Sequence, residues 1–125
     1  MLNEVNVPVY ATKLVCGLVE GKLKENHIGN YTLNGVRHGD EVQIGCMKVG
    51  FIHTNHSIPD ASALYFKTPV GTIVHTGDFK IDLTPVDGLL MDMHKFAELG
   101  REEYYFSCRT VRMHCDRAIR SRKER

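Results

Sequence analysis

Two short polar runs hold the residues best suited to metal chemistry. The first is His53-Thr54-Asn55-His56-Ser57-Ile58-Pro59-Asp60, and the second is His75-Thr76-Gly77-Asp78-Phe79-Lys80. Imidazole nitrogen and carboxylate oxygen are both good zinc ligands. A carboxylate has two oxygens, so it can bridge two ions as well as bind one. Gly77 beside Asp78 lets the backbone bend sharply and approach a ligand closely. By spacing alone, His56 and Asp78 are a weak metal signal, and such residues more often cap strands and bond to loop backbone. His27, His38 and His94 belong to no motif and are expected at the surface.

Both runs follow apolar segments, and loops at strand ends are where a rigid sheet can aim ligands into one site. The pattern predicts an α/β chain of the α+β type, made mostly of short strands with one or two helices. Val7–Ala11 reads as a buried strand. Thr12 then caps a helix running to about Lys24, with Leu14, Val15, Leu18, Val19 and Leu23 on its inner face. Tyr31-Thr32-Leu33 reads as a strand ended by a turn at Asn34-Gly35. Glu41–Ile44 with Met47–His53, and Ala63–Lys67 with Gly71–His75, read as strand pairs. Asp92–Leu99 reads as a short helix stopped by Gly100.

Residues 2–100 resemble ribonuclease J, a ribonuclease of the metallo-β-lactamase fold and the β-CASP group. Three segments carry the likeness: Asn6 to Leu14, Thr54 to Asp60, and Lys67 to Lys80 continued by Thr84-Pro85-Val86-Asp87-Gly88. The resemblance implies a partial αββα sandwich. It also implies a parent enzyme that uses two zinc ions to hydrolyse RNA phosphodiesters, from the 5′ end and internally. His56 maps to a zinc ligand and Asp78 to the carboxylate that bridges both zincs. His75, Gly77 and Ser57 map to the supporting loops, and His53 to a polar neighbour.

The family's principal metal motif, His-x-His-x-Asp-His, occurs nowhere in these 125 residues. In the family it lies upstream of the first matching segment, and the final ligand histidine and the β-CASP insert lie beyond the last. Two ligands cannot hold two ions and leave a position for an attacking hydroxide. No complete catalytic set is therefore expected in this chain. Edge strands and an apolar face without their family partners predict aggregation or proteolysis.

Charge divides the chain in two, a partial domain over 1–100 and a basic tail over 101–125. The first part carries 8 Lys+Arg and 11 Asp+Glu, net −3; the second carries 8 and 4, net +4. Seven of the eight cations before the break are lysine, and seven of the eight after it are arginine. Where the family continues with an apolar strand and Ser-Asp-Ser-Thr-Asn-Ala, this chain reads Tyr104-Tyr105-Phe106-Ser107-Cys108-Arg109-Thr110-Val111-Arg112-Met113. Back-translation in a shifted frame, with free third bases, can spell the family sequence, which points to one lost nucleotide near codons 102 and 103. In that light, Cys108, His114 and Cys115 match no standard zinc spacing. The arginines offer RNA only salt-sensitive phosphate contacts. A second function class is an interaction module that docks on an intact homologue. No signal-peptide layout or membrane-length apolar run is present, so a cytoplasmic protein with free thiols is expected.

Overall fold

The computed structural model describes residues 7–101 and the backbone of a strand at Tyr104–Cys108. Its elements in order are β1 (Pro8–Thr12), α1 (Lys13–Glu25), β2 (Thr32–Val36), β3 (Glu41–Ile44), β4 (Met47–His53), β5 (Ser62–Thr68), β6 (Gly71–His75), α2 (Met93–Arg101) and β7 (Tyr104–Cys108). The expected mixed arrangement of short strands and two helices is present.

The strands form two sheets. β1 and β2 pair in parallel, with Pro8 opposite Thr32 and Thr12 opposite Val36. Parallel neighbours need a crossover, and α1 supplies it. The other five strands run in the order β3-β4-β5-β6-β7. The first three junctions are antiparallel, and β7 joins β6 in parallel.

Alternation along β4 and β5 sends side chains to opposite faces of the larger sheet. One face carries Val49, Phe51, Leu64 and Phe66, which pack with Val36 and Tyr10 of the smaller sheet. The other carries Ile52, Ala63, Tyr65 and Val74, and α2 lays Leu99 and Phe96 across them. The two sheets thus pack face to face, with α2 on the outer side of the larger one.

Four local expectations are corrected. Asn34-Gly35 is not a turn: it lies inside β2, opposite Tyr10 and Ala11. The parallel ladder overrides the local turn preference, and the chain reverses at residues 37–40, where Gly39 takes φ 92° and the Asp40 N–H donates to the Arg37 carbonyl. The Thr12 side chain does not cap α1; its hydroxyl donates to the Asp60 carbonyl at 3.1 Å. The Asp60 carboxylate takes over the capping role, accepting the Leu14 N–H at 3.3 Å. Leu14 and Leu18 do not face the core: they are 42% and 53% exposed, because α1 covers only two strands and Leu23 is its one buried side chain. Finally, Gly100 does not stop α2, which runs on to Arg101.

Candidate functional site

The two polar runs come together because backbone bonds stitch their loops. The Lys80 N–H donates to the Asn55 carbonyl at 2.7 Å, within an isolated antiparallel bridge between those residues. The Thr54 N–H donates to the Ala61 carbonyl at 3.1 Å and closes the base of the 54–61 loop. The Asn55 amide also donates to the Leu89 carbonyl at 2.8 Å, tying in the segment that leads to α2.

His56 and Asp78 therefore line one open cavity of about 390 Å³, together with Tyr10, Phe51, Asp60 and Ser62. His56 is half-buried, and Asp78 is exposed at the rim. His56 also lines a second cleft of about 360 Å³, bounded by Ser57, Lys80, Asp82 and Asp87. The Lys80 ammonium lies 2.8 Å from the Asp82 carboxylate and is the leading reason that carboxyl sits below its ordinary range.

Gly77 adopts φ 60°, a left-handed conformation that favours glycine, and its N–H donates to His75 Nδ1 at 3.2 Å. Ser57 is exposed on the loop beside His56. His53 is buried at the end of β4, with Nε2 3.4 Å from the Leu89 carbonyl. Next to it, Thr54 Oγ1 and Asn55 Oδ1 are also buried, and neither they nor His53 Nδ1 have a hydrogen-bond partner among the described residues.

One neighbour of the site loop escapes sequence reasoning. His38 was expected at the surface, but it is half-buried against the base of the site loop. Its Nε2 lies 2.9 Å from Ser62 Oγ, its Nδ1 3.7 Å from Asp60 Oδ1, and its ring 4.7 Å from that of His53. His27 and His94 are exposed, as expected. Nothing in the local sequence marks His38; only the anchoring of its turn to β4, through bonds between Gly39 and Phe51 and between Phe51 and Asp40, brings it inward.

Among the described residues the donor set does not fit a two-zinc centre. His56 and Asp78 share a cavity, yet among the described residues no three His, Cys, Asp or Glu side chains gather as a metal site. Cys108, His114 and Cys115 fall outside the residues whose side chains are described, as does the arginine-rich end. No helix among the described residues is long and apolar enough to cross a membrane.

No family model matches the chain. It is 42% identical over 103 residues to ribonuclease J of Thermus thermophilus, covering 80% of this chain and 18% of the relative. It is 41% identical over 101 residues to ribonuclease J2 of Bacillus subtilis, covering 80% and 18%. It is 39% identical over 104 residues to ribonuclease J of Helicobacter pylori, covering 82% and 15%. The chain thus spans less than a fifth of the length of these relatives. Among solved structures, a protein of unknown function from Enterococcus faecalis overlays 60% of this chain and 20% of its own, with a TM-score of 0.52 and 22% identity. That likeness bears on the fold alone.

Proposed function

From its standing as a relative of ribonuclease J over four fifths of its length, we propose that this chain is a portion of a zinc-dependent ribonuclease that carries a minority of the metal ligands and does not hydrolyse RNA by itself. The observation that carries this reading is the thin donor set: His56, Asp60 and Asp78 line one cavity, yet among the described residues no three His, Cys, Asp or Glu side chains gather closely enough to hold a metal ion. A dinuclear hydrolase needs more donors than that to fix both ions and keep a coordination position open. In the complete enzyme His56 would offer an imidazole nitrogen and Asp78 its two carboxylate oxygens, with Gly77 and His75 shaping the loop beneath. No catalytic step follows from these two residues alone.

Native mass spectrometry of the purified chain with added zinc tests the donor set. The expected result is at most one weakly held ion, lost on substituting either His56→Ala or Asp78→Asn. Two tightly held ions per chain would overturn the reading.

Residues 101–125 belong to this proposal as an out-of-frame tail. Tyr104–Cys108 still extends the sheet beside β6. Tyr and Phe favour strands whatever reading frame produced them. Sequencing the DNA across codons 100–110 checks the origin: bases that cannot spell the family sequence in any shifted frame would rule it out.

A second reading, docking on an intact homologue, is favoured by the apolar segment between the site and α2. Ile81, Leu83, Val86, Leu89, Leu90 and Met93 are all at least 56% exposed. Patches of this kind mark contact surfaces or aggregation hazards. Co-purification with a full-length ribonuclease J, abolished by Leu89→Ser with Leu90→Ser, supports docking; no co-purification removes it.

A further inference from the structure

The cleft of about 360 Å³ between the 54–61 loop and Lys80, Asp82 and Asp87 is lined by acceptors that lack donors. Thr54 and Asn55 line it and are 1% and 5% exposed, yet Thr54 Oγ1 and Asn55 Oδ1 have no partner among the described residues. Buried polar atoms are rarely left so. The Asn55 amide nitrogen is fixed on the Leu89 carbonyl, so its oxygen can only accept. Lys80 does not meet the need, because its ammonium is held by Asp82 Oδ2 at 2.8 Å. Asp82 Oδ1 accepts the Thr84 N–H and Asp87 Oδ1 the Leu89 N–H, while Asp87 Oδ2 has no partner among the described residues. Ile58, Pro59, Pro85 and Val86 supply apolar walls. A planar cation with many donors, no acceptor and an apolar stem fits this lining, and that is the arginine side chain.

The chain carries its own arginines, and the topology starts them close by. Residues 109–125 hold six arginines and Lys123 against Asp116 and Glu124, net +5. Residues 76–92 hold Asp78, Asp82, Asp87 and Asp92 against Lys80, net −3. β7 runs parallel to β6 and sets Cys108, its last residue, opposite His75. Residue 109 therefore starts from the sheet end at which the His75–Lys80 run begins. Lys80 is five residues beyond His75, at most about 18 Å of chain. The seventeen residues after Cys108 span about 56 Å when extended, so reach is no obstacle.

We propose that the arginine-rich segment 109–125 folds back on its own chain and seats a guanidinium in this cleft, between the Asp87 carboxylate and the unpartnered oxygens of Thr54 and Asn55. Charge and acceptor chemistry carry this contact, whatever reading frame produced the segment. His56 lines the same cleft, so a seated tail covers one of the two metal-loop residues. The arginines so engaged are withdrawn from RNA phosphates, and the contact weakens with salt because its partners are charged and the cleft is open.

Trypsin cuts after arginine and lysine, and its rate on the tail follows the undocked fraction. The full chain is digested beside a synthetic peptide of residues 109–125, which reports the protease's own response to salt. At about 0.01 M ionic strength, where charges act over about 30 Å, tail bonds in the full chain should be cut about tenfold more slowly than in the peptide. At about 1 M, where that range shrinks to about 3 Å, the difference should vanish. Asp82→Asn with Asp87→Asn should abolish the protection at low salt, while each amide keeps an oxygen for the Thr84 or Leu89 N–H. Equal rates in chain and peptide at low salt, or protection that survives salt or the double substitution, would overturn the proposal. Protection that grows with chain concentration would place the tail on a second copy and overturn it too. Carbodiimide coupling of the wild-type chain decides the matter even if the variant fails to fold. Lys123, the one lysine of the tail, should join Asp82 or Asp87, and no link to either would refute the contact.

Discussion

Substituting Gly50→Ala is expected to be the most damaging single-methyl change in the larger sheet. Gly50 on β4 stands directly opposite Tyr65 on β5. The Tyr65 ring lies across the glycine so closely that an added Cβ would overlap the ring carbons and the hydroxyl oxygen. The ring cannot step aside cheaply. Tyr65 is 2% exposed in the core beneath α2, and its hydroxyl donates to Glu41 Oε1 at 2.6 Å. That bond is the leading reason the Glu41 carboxyl sits below its ordinary range. Overpacking of this kind costs on the order of 3 kcal/mol. For a domain of this size that is a fall in Tm of roughly 12 °C or more. Thermal unfolding followed by circular dichroism measures it. A variant within about 2 °C of wild type, the scale of an ordinary surface change, would show that the close approach is not a constraint.

Truncation of Leu99→Ala should release α2. The helix has nine residues, too few to persist alone in water. It is held by Leu99, 1% exposed, and by Phe96, both against the Ile52–Ala63–Tyr65–Val74 cluster. Removing a buried leucine side chain costs about 2–5 kcal/mol. The upper half of that range applies here, because the helix loses its deepest anchor and the strands beneath cannot close the gap. Amide exchange should show protection lost over Met93–Arg101 first, with the β4–β5 ladder following. Retained protection in α2 would mean that the helix is anchored elsewhere.

The strand pairs over residues 41–53 and 62–75 were readable in advance because short apolar runs such as Ala63-Leu64-Tyr65-Phe66 are bounded by turn residues, and both faces find partners. Helix α1 was readable as a helix but not in its orientation. Leu14 and Leu18 fit a helical stripe, yet two parallel strands offer too narrow a floor to cover them. Asn34-Gly35 misled because local turn chemistry is strong, while the ladder that overrides it comes from Pro8–Thr12, far away in sequence. Asp60 replaced Thr12 as the cap of α1 for the same reason: the contact spans 46 positions, and no local pattern encodes it. His56 and Asp78 were found through a family likeness, not through spacing. His38 had neither motif nor periodicity, and only the turn that carries it inward reveals its place beside Asp60.

We propose that this chain holds the signature loops of a two-metal ribonuclease without the ligands to run its chemistry. Incubation of the purified chain with end-labelled RNA, in the presence of zinc and with or without a chelator, tests it most directly. The account predicts no cutting that the chelator suppresses. Cleavage that the chelator abolishes, and that disappears in Asp78→Asn, would contradict it.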